Sequence, residues 1–145
     1  MSAWDLPAPF CVQLEVRAAD TDAYGHVNNA VYLSWLDRAA WAHSAALGMP
    51  LERCLALRRG MAAQRIEIDY LRAARAGECV VIGTWIVAGD DRLRVRRRFQ
   101  VCRAGETLAR AQVDYVCINL DSGRAARMPE EFRRAYAVRP GPAGQ

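Results

Sequence analysis

The sequence predicts an α+β domain in which an antiparallel sheet of about five or six strands wraps one long apolar helix. Three observations carry that prediction. One stretch, Ala30 to Leu47, repeats with a helical period and is apolar around most of its circumference. The segments on either side of it alternate with period two, or are apolar throughout over a strand's length. The strand-like segments after it are separated by short turns rich in glycine and aspartate, which favour hairpins over crossovers. With 145 residues, 52% hydrophobic and 25% charged, the chain is expected to be one domain over 1–145. A chain of this length buries roughly 70% of its unfolded surface, enough for a core without disulfides or metal. The core is expected over about 10–136, with 1–9 a loose arm and 137–145 a flexible tail, since prolines and glycines concentrate at both ends.

The elements follow in order. From Phe10 to Arg17, Val12, Leu14 and Val16 alternate with Gln13, Glu15 and Arg17, the pattern of a half-buried strand. The pattern then breaks into a polar segment, Ala18 to Asn29, ending in two asparagines that can cap a helix. At 100° per residue the apolar positions of the helix, among them Tyr32, Trp35, Leu36, Ala39 and Leu47, cover roughly 200°. They leave a narrow polar edge of Ser34, Asp37, Arg38 and Ser44, so the helix is expected to be enclosed on most sides. His43 falls within the apolar arc and is expected to be a core or interface histidine. Gly48 and Pro50 stop the helix. After a short connector, Gln64 to Tyr70 alternates again, and Cys79 to Ala88 is nearly all apolar, as a strand covered on both faces is. Gly89, Asp90 and Asp91 predict a tight turn into a strand from Arg92 to Cys102, where Arg97 stands on the apolar side among Leu93, Val95, Phe99 and Val101. A turn at 104–106 leads to the strand Thr107 to Asn119. Pro129 is placed to start a short last helix.

Composition excludes several function classes. No uncharged stretch reaches the ~18 apolar residues a membrane helix needs. The first residues lack the basic start and apolar run of a secretory signal, so a cytoplasmic location and reduced thiols are expected. The five cysteines have no CxxC spacing, and no metal site is expected. GxGxxG, GxxxxGK[ST], HExxH and GxSxG are all missing, which disfavours nucleotide, zinc-protease and serine-hydrolase chemistry. All 20 basic residues are arginine, a side chain whose planar fork suits phosphate. Nucleic-acid binding is not expected, because Trp85 and Phe99 read as core and not as stacking platforms.

The polar segment AADTDAYGHVNN holds two aspartates, a histidine and two asparagines directly before a helix start. Unpaired N–H groups and a partial positive charge at such a start favour a nearby carboxylate and polarise a carbonyl oxygen. Asp22 there can act as nucleophile or as general base toward water. The same residues also suit a plain capping loop, with Asp20 and Asp22 closing Asx turns, Gly25 at positive φ and Asn28 or Asn29 as cap.

DTDAYGHVNNAVYLSWLDRA, Asp20 to Ala39, resembles the motif of the hot-dog-fold acyl-CoA thioesterases of the 4-hydroxybenzoyl-CoA thioesterase-like superfamily. Its GHVNN portion is also similar to plant acyl-ACP thioesterases. YLRAARAGE (Tyr70 to Glu78) and VDYVCINLDSGRAARMP (Val113 to Pro129) extend the resemblance, which covers Phe10 to about Phe132. It implies a hot-dog fold and an acyl-CoA thioesterase using no metal or organic cofactor. The alternatives are an acyl-ACP thioesterase or a non-catalytic acyl-thioester-binding protein. By the resemblance Asp22 is the catalytic carboxylate and Asp20 a loop-stabilising partner. Backbone N–H groups around Asn28, Asn29 and Ala30 form the oxyanion hole, and His26 orients water or substrate. Tyr24, Gly25 and Val27 flank the substrate; Tyr32, Trp35, Leu36 and Ile66 line an acyl tunnel. Arg94, Arg96 and Arg98 are candidates for the phosphates of coenzyme A, or else form a solvated face. Asp37, on the polar edge of the helix, is expected to have a supporting or interface role; the alternative is the catalytic carboxylate that another hot-dog subgroup places on this helix. The resemblance further implies a homodimer or a tetramer built from dimers.

Overall fold

The computed structural model describes residues 3–139; the expected tail beyond 139 lies outside the described residues. The elements are β1 (Phe10–Glu15), a 3₁₀ turn at Ala18–Asp20, α1 (Asn29–Ala46), α2 (Leu51–Leu57), β2 (Arg59–Tyr70), β3 (Cys79–Gly89), β4 (Arg94–Arg103), β5 (Glu106–Asn119) and α3 (Glu130–Ala135). The strands form one antiparallel sheet in the order β1-β3-β4-β5-β2, with α1 laid along one face against β3 and β1.

Helix α1 starts where its capping chemistry dictates. Asn28 is the N-cap, and its side-chain oxygen accepts the Ala30 N–H at 3.0 Å. Tyr32, Trp35, Leu36, Ala39 and Ala40 then recur every three or four residues and form one core with Val80 and Ile82 of β3, Phe99 and Val101 of β4 and Ala109 of β5. The expected enclosure on most sides is corrected. This chain covers a single stripe of α1 and leaves Leu33 and Trp41 exposed. Ser44, assigned to the polar edge, is buried because its hydroxyl accepts from Tyr136 Oη (3.0 Å) and from Arg97 (3.2 Å).

A second cluster closes one end of the sheet, where Phe132 and Ala135 of α3 and Cys54 of α2 pack on Met49, Val95, Cys117 and Met128. Helix α2 replaces the expected connector; Pro50 both ends one helix and caps the next, and only Cys54 of the seven residues is buried. Strand β2 begins at Arg59, five residues before the predicted start, because β5 pairs with it from Asn119 onward, through a bulge between Ala63 and Arg65. Strand β4 begins at Arg94, two residues later than expected. The Asp90 Oδ1 accepts the N–H groups of Arg92, Leu93 and Arg94 at 2.8–2.9 Å, which draws Arg92 and Leu93 into the turn.

The N-terminal segment is not loose over its described residues. The Trp4 ring lies on Gly83, where a Cβ would come within 2.6 Å of it. Asp5 pairs with Arg110 (2.6 Å), and the buried Gln100 accepts from the Asp5 N–H while donating to the Ala3 carbonyl, both at 2.9 Å. Arg97 keeps the alternation of Val95 and Phe99 and therefore points to the helix side, where it is 2% exposed. Burying a cation costs on the order of several kcal/mol unless polar partners surround it. Its guanidinium donates to His43 Nδ1 (2.5 Å) and Ser44 Oγ (3.2 Å) and meets the Tyr115 hydroxyl.

Phe132→Ala removes a fully buried ring from the smaller cluster and is expected to lower the unfolding free energy by about 3–4 kcal/mol, read from urea denaturation.

Candidate active site

Residues 20–28 fold as a narrow hairpin ahead of α1. The Asn28 N–H donates to the Asp20 carbonyl (2.9 Å), Thr21 and Val27 form a bridge, and the Asp22 N–H donates to the His26 carbonyl (2.7 Å). Gly25, at φ +77°, makes the turn at the tip, a backbone conformation that costs other residues energy. Two further contacts fix the hairpin to the domain: the Val27 N–H donates to the Ala74 carbonyl (2.9 Å), and His26 bridges to Arg75. Asp20 anchors the base and is 7% exposed. Its carboxylate accepts the Arg17 backbone N–H (2.9 Å) and the Arg17 guanidinium (3.2 Å). The backbone bond foremost, and the guanidinium with it, hold its carboxyl below the usual aspartate range.

Asp22 sits exposed just behind the tip. Its Oδ1 accepts the N–H groups of Tyr24 (2.8 Å) and His26 (3.2 Å), and no described residue bonds its Oδ2. The capping-loop chemistry and the free carboxylate oxygen therefore coexist in one side chain. The helix start supplies fewer amides than expected. The Asn28 N–H is held by Asp20 and the Ala30 N–H by the Asn28 side chain. The Asn29 N–H, which lies before any intrahelical acceptor, has no hydrogen bond to a described residue and is the amide left to polarise a carbonyl. The position of that first turn is set by a residue that local pattern could not single out. The Tyr70 hydroxyl of β2 donates to the Asn29 carbonyl (3.0 Å), and the Tyr70 ring packs edge-on against Tyr32 with centroids 5.2 Å apart.

The hairpin thus gathers Asp22, Tyr24, Gly25, His26, Val27, Asn28 and Asn29. Tyr24 is 84% exposed at the tip, whereas Val27 is core. The remaining candidates are placed differently. Tyr32, Trp35 and Leu36 are buried in the main core, directed at the sheet by the helical repeat; Tyr32 and Leu36 fill space there, while Trp35 also borders a hollow of about 500 Å³ together with Leu14, Arg17, Asp20 and Arg38. Ile66 is 46% exposed on the helix side of β2, beyond the reach of α1. Arg94 and Arg96 border a hollow of about 490 Å³ together with Gln64 and Arg65; Arg94 donates to Gln64 Oε1 (2.6 Å) and Arg96 pairs with Asp114 (2.7 Å). Arg98 parts from them and opens on a separate cavity beyond Trp85. Asp37 is exposed on α1. The five cysteines are free thiols, Cys54, Cys102 and Cys117 buried, Cys11 and Cys79 exposed. No described helix is long and apolar enough to cross a membrane.

The sequence matches the thioesterase-like superfamily over residues 16–136. It is 30% identical over 129 residues to the 1,4-dihydroxy-2-naphthoyl-CoA hydrolase of Synechococcus elongatus, a match covering 87% of this chain and 93% of that one. It is 26% identical over 122 residues to the long-chain acyl-CoA thioesterase FadM of Escherichia coli, covering 83% and 92%. The crystal structure of Slr0204, a 1,4-dihydroxy-2-naphthoyl-CoA thioesterase from Synechocystis, has the same fold, with a TM-score of 0.79 over 89% of this chain and 96% of that one at 23% identity. With an antiparallel five-stranded sheet laid over α1 and an aspartate hairpin at the start of that helix, the chain belongs to the thioesterase-like superfamily, the hot-dog-fold thioester hydrolases.

Proposed function

We propose that the chain hydrolyses acyl-CoA thioesters, with Asp22 as the reacting carboxylate and the Asn29 N–H as oxyanion donor. The observation that carries this reading is that one hairpin presents an Asp22 Oδ2 that no described residue bonds and leads directly into an 18-residue helix whose first amide likewise has no partner among the described residues. The thioester carbonyl oxygen docks at the Asn29 N–H. Asp22 then either takes a proton from a water that attacks the carbonyl carbon, or attacks it directly to form an acyl anhydride that water cleaves. In both routes the C–S bond breaks, the thiol leaves protonated and the acid is released. His26 stands next to Asp22 and orients the water. The reading uses no metal or organic cofactor. The Synechococcus elongatus hydrolase and FadM both carry acyl-CoA substrates in their names, which supports coenzyme A as the thiol.

Arg65, Arg94 and Arg96 share one hollow with Asp90 and Asp114, Arg96 being paired with Asp114 and Arg65 with Glu67, and the surplus guanidinium, Arg94 foremost, suits the coenzyme's phosphates. An acyl chain on an acidic carrier protein is the second reading, favoured by the same arginine surface. A non-catalytic binder would have no use for the free oxygen of Asp22. The active unit in this reading is a homodimer or a tetramer of dimers. Strand β2 pairs with β5 on one side alone among the described residues, and Ile66, Tyr70 and Leu71 lie exposed along it. An unpaired edge with apolar neighbours suits a second copy.

Thiol release from short, long, branched and aromatic acyl-CoAs, and from the same acyl groups on a carrier protein, tests the reading. Asp22→Asn is expected to stay folded and to lose at least about a hundredfold in rate; retained activity would move the search to Asp37. Ile66→Asp is expected to shift the sedimenting species to the monomer mass and to lower activity with it. Asp20 is a positioning residue for Asp22, and Asp20→Ala is expected to cost about 2 kcal/mol of unfolding free energy at neutral pH. Because the folded carboxyl titrates below the unfolded one, that stabilisation is complete above the ordinary aspartate range and drains as pH falls through the lowered value. Urea midpoints of wild type and variant should therefore converge only in acid.

A further inference from the structure

At the end of α1 remote from the aspartate hairpin lies a cavity of about 580 Å³, between residues 6–8, the middle of β3, the last turn of α1 and residues 135–139. This is the volume of a small-molecule site. Leu47, Ile86 and Val87 are among its apolar walls, and among the described residues no carboxylate lines it. Its charged and polar side chains are Arg98, Arg139, Thr84 and His43. Neither Arg98 nor Arg139 forms an ion pair with a described residue; Arg139 makes only a long bond, 3.5 Å, to the Arg134 carbonyl.

His43 is presented to this cavity in a fixed state. An arginine can only donate, so the Arg97 contact at 2.5 Å makes His43 Nδ1 an acceptor and places the imidazole proton on Nε2. Burial first, then Arg97 and Arg139, push the His43 pKa down to about 4, so the ring is neutral near pH 7. Its orientation is set by stacking on Phe10, with centroids 4.8 Å apart. Behind it Arg97 is buried with neutral partners alone, the hydroxyls of Ser44 and Tyr115 and the imidazole. Two guanidinium groups without an ion pair to a described residue and the His43 imidazole therefore line one apolar hollow, with the buried Arg97 behind the imidazole; Arg98 also acts on the Asp5 carboxylate, which is itself paired with Arg110.

We infer that this cavity is a second binding site, distinct from the aspartate hairpin, for an amphipathic organic acid. The carboxylate sits at the rim by Arg98 and Arg139, and the apolar body lies along Leu47, Ile86 and Val87 beside His43. Paired guanidinium forks match a carboxylate geometrically, and an apolar wall excludes a bare inorganic anion as the preferred ligand. The inference stands on the chemistry of the cavity and does not depend on hydrolysis at Asp22.

The chain has two histidines, one at each site, which makes the test specific. Sodium decanoate is titrated into the full chain while the imidazole resonances of His26 and His43 are followed by NMR. Saturable movement of His43 with His26 unmoved is expected. Decanol should bind at least about tenfold more weakly. The double variant Arg98→Ala, Arg139→Ala should bind decanoate about tenfold more weakly and decanol as before. Val87→Trp, which fills the hollow without changing charge, should abolish binding of both. The inference is overturned if decanoate moves only His26, if decanol binds as well as decanoate, or if neither histidine responds.

Discussion

The hydrogen bond from the Asn28 N–H to the Asp20 carbonyl closes the hairpin, and the site depends on that closure. On one side of it the buried Asp20 carboxylate is tied to Arg17 at the end of β1; on the other, Asn28 caps the helix that fills the core. Each such bond contributes only about 1 kcal/mol net, but they are in series. Opening the base would release the Thr21–Val27 bridge and the Asp22–His26 bond together, and with them the position of the Asp22 carboxylate. The loop is therefore rigid for a structural reason that also serves chemistry. Asp22 spends one oxygen on turn N–H groups and keeps the other for solvent or substrate.

A sheet of five strands is wider than one helix. Helix α1 lies toward β1 and β3, and the smaller cluster of α2 and α3 covers one end, which leaves the helix side of β2 open around Ile66. The same offset exposes Leu33 and Trp41 on α1. An apolar strip next to an unpaired strand edge is costly in a free chain, so the openness that interrupts the single-chain tunnel and the surface suited to a second copy have one geometric origin. Tyr70 links the two. It stands on that edge strand, yet its hydroxyl holds the first turn of α1 through Asn29, so the edge and the helix start are coupled within one chain.

What could be read from the sequence was what local chemistry determines. The period of α1, the unbroken apolar run of β3, the positive φ of Gly25 and the cap at Asn28 all follow from residues within a turn or two of one another. Helix α2 escaped because one buried residue in seven leaves no stripe to detect, and Pro50 signals both a stop and a start. The first half of β2, from Arg59 to Ala63, is strand because β5 imposes it; glycine and alanine there carry no preference of their own. In the site, Asp22 and Asn28 were legible, but the amide left free at the helix start was not. That depended on which acceptors Asp20 and the Asn28 side chain occupied, and the part played by Tyr70 spans 41 residues of sequence.

The arginines of β4 illustrate how a strand sorts one residue type. Arg94 and Arg96 face a polar hollow, Arg98 faces an apolar cavity, and Arg97 points inward. Sliding the strand by one residue would put Arg94, Arg96 and Arg98 where Val95, Arg97 and Phe99 stand and Gln100 in place of Val101, so the apolar residues fix the register and Arg97 must be accommodated. The fold accommodates it with neutral acceptors: Ser44, Tyr115 and the unprotonated nitrogen of His43. A carboxylate in that position would have cancelled the charge. Without one, the positive potential of Arg97 extends through the imidazole toward the cavity that His43 lines, and adds to that of Arg98 and Arg139 at its wall. The single arginine out of step in the sequence is in this way the one that gives the far end of α1 its chemical character.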